Sequence, residues 1–418
     1  MTEEELELLE KQLYFSKEAA EYLGITVQRL NKLIQEEKIK PLKKNASGTV
    51  FHIDELNRRK EELEIFTKIE QGDKCSMFRI DTKTKQEALN FATLMNVLDY
   101  TESRLEPSFV EFGKIARLDI PLTDERICSK CAEFFGVSIG AIQRQYKLAY
   151  DAFSTLRPTD EIIKRGDISY PPLLAQTEQA PRFLYLRGKK ALLHEKRTVA
   201  LVGSRMASET SKQNTEKLSK ELGKNGITVV SGLAKGIDVS AHSAALQYGF
   251  NTIAVIGTNL NQYYPAENKA VQQAIERMGL IVSQFSPATK TQRWFFPLRN
   301  GVMSGLSLAT VIMEAGETSG ALKQADFALK QGRQVLIPQK ALEMRNITWP
   351  ARYVERGAQV VDSPRDVIRT LAESNIFKVR ERYIGGEQET LESYLANIQE
   401  PSSSENDICY AQSIIIEE

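Results

Sequence analysis

Residues 199–202 and 227–230 are two short, largely apolar runs, and each stops at a small turn, Gly203-Ser204-Arg205 and Ser231-Gly232. The polar segment between them has the length of a helix. Further apolar runs fall near 183–186, 252–256, 280–283, 308–314, 334–337 and 358–361. Several are continuous rather than alternating, as expected of parallel strands covered on both faces. With helical stretches between most of them, the pattern predicts an α/β fold: a Rossmann-like, doubly wound, mostly parallel sheet over residues 165–370.

The pattern ahead of residue 165 differs. Ser16 is placed to cap a short helix carrying Ala19, Ala20 and Leu23. Gly24 permits a tight turn, and Thr26 can cap a second helix whose Leu30, Leu33 and Ile34 face inward. Pro41 and a turn at 45–48 then separate a Lys-rich stretch from a short strand at 49–53. Helix, turn, helix and wing make a winged helix-turn-helix over residues 1–65. A charged helical spacer follows over 57–74, and residues 75–160 are expected to form a second, all-helical module. Within it CAEFFGVSIGAIQRQY (131–146) aligns without gaps on AAEYLGITVQRLNKLI (19–34), which predicts a second helix-turn-helix-like hairpin. Cys128 and Cys131 share one amphipathic helix, where a three-residue spacing is a core face, so no metal site is expected. Residues 371–418 read as a polar, partly flexible tail without a motif.

Composition narrows this picture modestly. The 418 residues carry 55 basic and 55 acidic side chains, so a polyanionic partner must be met by a local patch. One such patch spans 29–60, with nine Lys/Arg against four Asp/Glu. The four cysteines, the mean hydropathy of −0.33, the charged start and the lack of a long apolar run fit a cytoplasmic protein with no membrane span.

The chemistry gathers where the strands should end. Ser204, Arg205, Ser231, Gly232, Lys235, Gly236, Arg299 and Asn300 offer amides, hydroxyls and cations in the manner of a phosphate site. Neither a G-x-G-x-x-G with an acidic ribose partner nor a G-x-x-x-x-G-K-[ST] is present, which argues against dinucleotide redox chemistry and nucleotide hydrolysis. His242 follows Asp238 by one helical turn, but no nucleophile motif accompanies it, so a packing or capping role is expected. Glu314, at a strand end, is expected to orient amides rather than act as a base. Tyr263, Tyr264, Trp294, Phe295 and Phe296 lie near the crevice motifs, some to stack on bases and others to fill the core.

VALVGSR (199–205), VVSGLAKGIDVSAH (229–242), TIAVIGTNLNQYYPAEN (252–268), FPLRNGVMSGLS (296–307) and VIMEAGETSGALKQADFALKQGRQV (311–335) follow in order the motifs of the DprA/Smf family of DNA-processing proteins. The resemblance covers about residues 165–365. It implies a protein that is not an enzyme and needs no cofactor, that binds single-stranded DNA, dimerises through this domain, and hands the strand to a RecA-type recombinase in DNA uptake and recombination. It also implies that Arg205, Lys235 and Arg299 contact phosphate while Ser204, Ser231, Gly232 and Gly236 shape the pocket. The chain departs from the family pattern at Gly301, where an Arg is usual, at Lys323, where a Thr is usual, and at Pro338-Gln339. The stretch around 14–56 resembles MerR- and excisionase-type winged helices, which implies duplex DNA as a second partner. Gln28, Arg29 and Lys32 would then lie at a major groove and Lys43 and Lys44 on backbone phosphate. Two other readings stay open: a sequence-specific duplex-DNA regulator that uses the core to oligomerise, and a small-nucleotide sensor or phosphoribohydrolase-like enzyme.

Overall fold

The computed structural model describes residues 13–35, 39–45, 48–53, 55–57, 59, 78–344 and 347–373; most of the expected 371–418 tail and most of the 57–74 spacer lie outside them, while 371–373 close the last helix rather than belonging to a flexible tail. The chain divides into two compact units, Met1–Arg79 and Ile80–Glu418.

In the first unit β1 (Leu13–Phe15), α1 (Ser16–Tyr22), α2 (Val27–Gln35), β2 (Lys43–Asn45) and β3 (Gly48–His52) follow in order. The strands form an antiparallel sheet in the order β1-β3-β2, with Asn45 opposite Gly48. Ala19, Ala20, Leu23, Leu30, Leu33 and Phe51 close a small core between helices and sheet. Gly24 turns the chain at φ +65, and the Thr26 hydroxyl accepts the Arg29 N–H at 3.2 Å to cap α2. One expectation shifts by a residue: the cap of α1 is Phe15, and Ser16 is already helical. The Phe15 N–H is satisfied by the Glu18 carboxylate at 2.9 Å, three residues on, so a hydroxyl is not needed there.

The second unit opens with four helices, α3 (Lys83–Leu98), α4 (Glu102–Ile115), α5 (Glu125–Phe135) and α6 (Ile139–Phe153). The α5–α6 turn repeats the geometry of α1–α2: Gly136 has φ +64, and the Ser138 hydroxyl caps Ala141 at 3.1 Å. Cys128 and Cys131 are buried on the inner face of α5, and burial pushes the Cys131 thiol up to about 12. Among the described residues no cluster of three or more His, Cys, Asp or Glu gathers as a metal site would require. No described helix is long and apolar enough to cross a membrane.

Next come β4 (Glu161–Lys164), β5 (Phe183–Gly188), β6 (Thr198–Gly203), α7 (Glu209–Lys224), β7 (Thr228–Ser231), α8 (Ile237–Gln247) and β8 (Thr252–Ile256). The chain continues through α9 (Lys269–Met278), β9 (Leu280–Ser283), α10 (Phe295–Gly305), β10 (Ala309–Glu314), α11 (Gly320–Lys330) and β11 (Gln334–Pro338). It ends in α12 (Trp349–Glu355), β12 (Gln359–Val361) and α13 (Pro364–Glu373). One nine-stranded sheet results, ordered β12-β11-β10-β6-β7-β8-β9-β5-β4. Strands β6 to β12 are parallel, while β5 and β4 extend the β9 edge antiparallel.

Successive residues on each strand serve opposite layers. Val229, Val311 and Leu336 pack with Leu218 and Leu222 of α7 and Leu371 of α13 on one face. Val230, Ile312 and Val335 pack with Val302 of α10 and Ala325 of α11 on the other. Both faces are therefore buried, which is why the runs are apolar throughout. From β6 the chain winds out to β9, then crosses back to β10 on the other side of β6. The β6–β10 boundary is thus the switch point, where a crevice opens at the strand ends.

The four helices, expected as a separate module over 75–160, belong to the same compact unit as the sheet. Charged groups bind them to it. Glu87 of α3 pairs with Lys164 at 2.9 Å and with Arg182, and Glu106 of α4 pairs with Arg165. Asp160, after α6, receives both Nε and Nη2 of Arg187 at 2.8 and 2.6 Å, with the two side chains 0% and 4% exposed. Removing Asp160 leaves the buried Arg187 with Glu276, 3.7 Å away, as its nearest remaining counter-charge, and with two unpaired N–H donors. Asp160→Ala is therefore expected to cost about 3–5 kcal/mol in denaturant unfolding, and Asp160→Asn, which keeps an acceptor, distinctly less.

A cation-rimmed crevice at the strand ends

The crevice begins at the end of β6, where the Ser204 N–H donates to the Glu314 carbonyl at 2.7 Å. The Glu314 carboxylate accepts the N–H and hydroxyl of Ser208, which caps α7, at 3.1 and 2.7 Å. It orients an amide and a hydroxyl, the role its position had suggested. The loop after β7 is held from inside: Asp238, at the start of α8, accepts the N–H groups of Gly232 and Ala234 at 3.2 and 3.3 Å. Burial raises the Asp238 pKa against the lowering effect of Arg299 and the two amides. Leu233 takes a left-handed φ of +57 with its side chain buried, and its carbonyl accepts the Asn268 amide at 2.9 Å. Gly236 has φ +74, and a Cβ there would lie 2.3 Å from the Ser204 carbonyl oxygen, so the two loops touch only because the residue is glycine.

Arg299 is the centre of this construction, and its position differs from the open phosphate contact expected of it. It is 5% exposed. Its Nη1 donates to the carbonyls of Gly232 and Val255, and its Nε to Asn300 Oδ1 at 3.1 Å. Burial lowers its pKa to about 10, against the raising effect of Asp238, so it remains a cation at neutral pH. Its task is to tie the ends of β7 and β8 to α10. A Cβ on Gly232 would stand 2.2 Å from the guanidinium, so that glycine is the price of the tie. Ser231 also turns inward, with its hydroxyl on the Leu201 carbonyl at 2.6 Å. Asn300 is nearly buried, and its Nδ2 lies 3.3 Å from the Gly320 carbonyl. These three shape the crevice from behind.

The side chains left to face solvent are Arg205, half-buried Ser204 and Lys235, the last paired to Glu267 at 2.6 Å with both partners about half exposed. Two adjoining cavities lie among them. One, of about 140 Å³, is lined by Arg205, Ala234, Asp238, Phe296, Arg299 and Lys323. The other, of about 120 Å³, is lined by Arg205, Gly232, Lys235, Tyr264, Phe296 and Arg299. Tyr264, half exposed, lies against Phe296 with ring centroids 4.9 Å apart. Phe295 by contrast is buried in the core, and Tyr263 is half buried near the Lys269 ammonium.

Lys323 is the residue that reading the sequence for sites passed over. It stood out only as a departure from a family pattern, yet the first turn of α11 brings it to the cavity wall. Gly301, another departure, faces away: a Cβ there would meet Gln179 Cγ at 2.6 Å, and its carbonyl accepts Gln331 Nε2 at 3.0 Å. The crevice thus has a cation at 323 and a close helix approach at 301.

In the first unit Gln28, Arg29 and Lys32 are exposed on α2, and Lys43 is exposed on β2. Lys44 is the next residue of that strand, its side chain lying outside what is described.

Cavities of 120–140 Å³ fall well below the roughly 300–1,000 Å³ of ordinary small-molecule sites. They suit a phosphate and its neighbouring sugar, not a dinucleotide. Fold and site together define a Rossmann-like α/β protein whose strand ends form a shallow, cation-rimmed crevice. The model of the DNA recombination-mediator protein A family matches residues 161–372, and the chain belongs to that family, the DprA/Smf group of DNA-processing proteins. It is 38% identical over 203 residues to the DNA processing protein DprA of Streptococcus pneumoniae, covering 48% of this chain and 71% of that one. It is 34% identical over 207 residues to DprA of Bacillus subtilis, covering 50% and 70%. The crystal structure of the S. pneumoniae protein superposes with a TM-score of 0.53 at 31% identity, over 69% of this chain and 95% of that one. That share exceeds the 161–372 span, so part of the chain outside it also has a counterpart there.

His242 packs beneath the site. Thr252 Oγ1 already donates to the Val229 carbonyl, so the 2.7 Å contact between them has His242 Nδ1–H as donor. Burial holds its pKa down at about 3, against the raising effect of the Ser231 backbone. Below about pH 6.5 the unfolded chain takes up this proton and the folded one does not, so stability falls as pH drops from 6.5 toward 3. Thermal unfolding followed across that range should show a shallower decline in His242→Gln than in the parent chain.

Proposed function

We propose that the crevice binds single-stranded DNA by its backbone, and that the protein works as a non-catalytic mediator in recombination. The observation that carries this reading is the ring of Arg205, Lys235 and Lys323 around two phosphate-sized cavities. Family membership supports DNA as the polyanion. A phosphate meets open amides and cations there, while the buried Arg299 adds positive potential from behind. The Lys235–Glu267 pair is exposed, so exchanging Glu267 for a phosphate costs little. Tyr264 and Phe296 supply π-faces beside the cations, which every base can use, so the grip is tolerant of sequence.

Further parts of the proposal rest on family membership: a homodimer, a cytoplasmic location, and transfer of the strand to a RecA-type recombinase. The alternative of a phosphoribohydrolase-like enzyme is disfavoured by the small cavities and by Glu314, whose carboxylate is engaged by Ser208. A duplex-DNA contact by the first unit is a second reading, favoured by the exposed Gln28, Arg29 and Lys32 on one short helix and Lys43 on the adjoining sheet.

Filter-binding of the full chain to a single-stranded oligonucleotide across a salt series tests the main reading. Removing one phosphate-binding cation should make the slope of log K on log salt shallower by about 0.7. Arg205→Glu and Lys235→Glu should each lose roughly tenfold or more in affinity at low salt, and Lys323→Thr should lose less. Unchanged affinity in both charge reversals would refute it. Arg29→Glu, assayed on duplex DNA, should weaken duplex binding while leaving the single-strand slope alone.

A further inference from the structure

A further cavity, of about 430 Å³, lies within the larger unit among α3, α4, β5, the loop after β9 and the first turn of α10. It is about three times the size of either crevice cavity and within the ordinary range for a small organic ligand. Its walls are aromatic: Phe91, Phe183, Tyr185, Phe285, Phe295 and Phe327. The Phe285 and Phe295 rings are parallel to within 3° at 4.0 Å, and Trp294, 45% exposed, meets Phe295 edge-on at 4.5 Å. Planar walls of this kind match a planar ligand better than an alkyl chain.

The polar groups add a direction. Glu106 is neutralised by Arg165 and Arg182. Glu102, one helical turn before it, accepts the Arg182 backbone N–H through Oε1 and has no other hydrogen bond among the described residues. Its second oxygen is available to an occupant. A lipid tail or apolar peptide side chain would enclose that oxygen without a partner, at the cost of an unsatisfied polar group. A heterocycle with paired N–H donors on one edge would satisfy it and fill the aromatic walls at once.

We infer that this cavity is a nucleobase site, in which the base stacks among the aromatic rings and the Glu102 carboxylate accepts from its Watson–Crick edge, with guanine, whose N1–H and N2–H are both donors, as the preferred base. The site is separate from the phosphate crevice, although adjacent residues of α10 serve the two: Phe295 lines the nucleobase cavity and Phe296 the crevice. The base can come from a bound DNA strand or from a free nucleoside or nucleotide.

The charge state of Glu102 sets a signature. Burial pushes its carboxyl up to about 7; the Arg182 N–H, Arg165 and Arg182 oppose this and Glu106 adds to it. Tyr170 and Tyr185 also face it from the sheet side, and burial keeps both phenols neutral. The carboxylate form, which accepts from guanine, therefore gains above neutrality and is lost as pH falls below 7.

Deoxyguanosine has no phosphate for the crevice cations, and the Glu102 and Ser103 substitutions, which lie only in this cavity's lining, separate binding here from stacking in the crevice. The chain has two tryptophans, and Trp349 is fully buried, so quenching of Trp294 reports stacking. Deoxyguanosine should quench the full-length chain saturably at pH 8, with deoxyadenosine about tenfold weaker, and this preference should collapse at pH 5.5. Glu102→Gln should lose the preference and its pH dependence without a change in melting temperature. Ser103→Tyr, which places a ring on the exposed rim, should block both nucleosides. An oligo-dT carrying one dG then identifies the source. If that dG raises affinity in the parent chain but not in Glu102→Gln, the base comes from the strand; if only the free nucleoside responds, it is a small-molecule site. Absence of saturable quenching at millimolar deoxyguanosine, or quenching that survives both substitutions, would overturn the proposal.

Discussion

The buried guanidinium of Arg299 is the contact on which the crevice depends. A cation placed among strand ends needs acceptors on several sides, and it finds them in the Gly232 and Val255 carbonyls, Asn300 Oδ1 and the nearby Asp238. Once it is there, Gly232 can carry no side chain, the loop after β7 must fold back toward Ser204, and Gly236 must take a left-handed conformation. Asp238 then caps the loop amides from within. Each feature is costly alone: a buried charge, a strained Leu233, two close approaches. Together they satisfy one another, so the amides and the rim cations are held in place before any ligand arrives.

Positive charge is thereby arranged in two layers. Arg299 lies behind the crevice and supports it, while Arg205, Lys235 and Lys323 stand exposed at the rim. A chain with no net charge can in this way present a local field to a polyanion. The helices before the sheet are joined to it by the Glu87, Glu106 and Asp160 ion pairs, and the aromatic cavity lined by Glu102 lies at that junction.

Much of the sheet was legible in the sequence. The expected strands near 198–202, 252–256, 280–283 and 334–337 fall within a residue of those observed, because short, largely apolar runs between helical stretches leave few other arrangements. Strand β4 was not legible: its four residues, polar at both ends, have no period to detect, and only pairing with β5 makes it a strand. The repeated helix–turn–helix geometry was legible through Gly24 and Gly136, since their left-handed turns and the Thr26 and Ser138 caps are local chemistry.

Site residues divide along the same line. Sequence alone determined which motifs end the strands, and so which residues come near the crevice, because backbone turns and caps are decided by neighbours along the chain. Tertiary structure alone decided which of them face solvent and which turn inward. It turned Arg299 and Ser231 inward, where carbonyls from distant strands needed donors. It brought Lys323 to the wall in place of a cation at 301, and it enclosed Glu102 among aromatic rings drawn from five separate segments. Burial and pairing are set by groups far apart in the chain, and no local pattern records them.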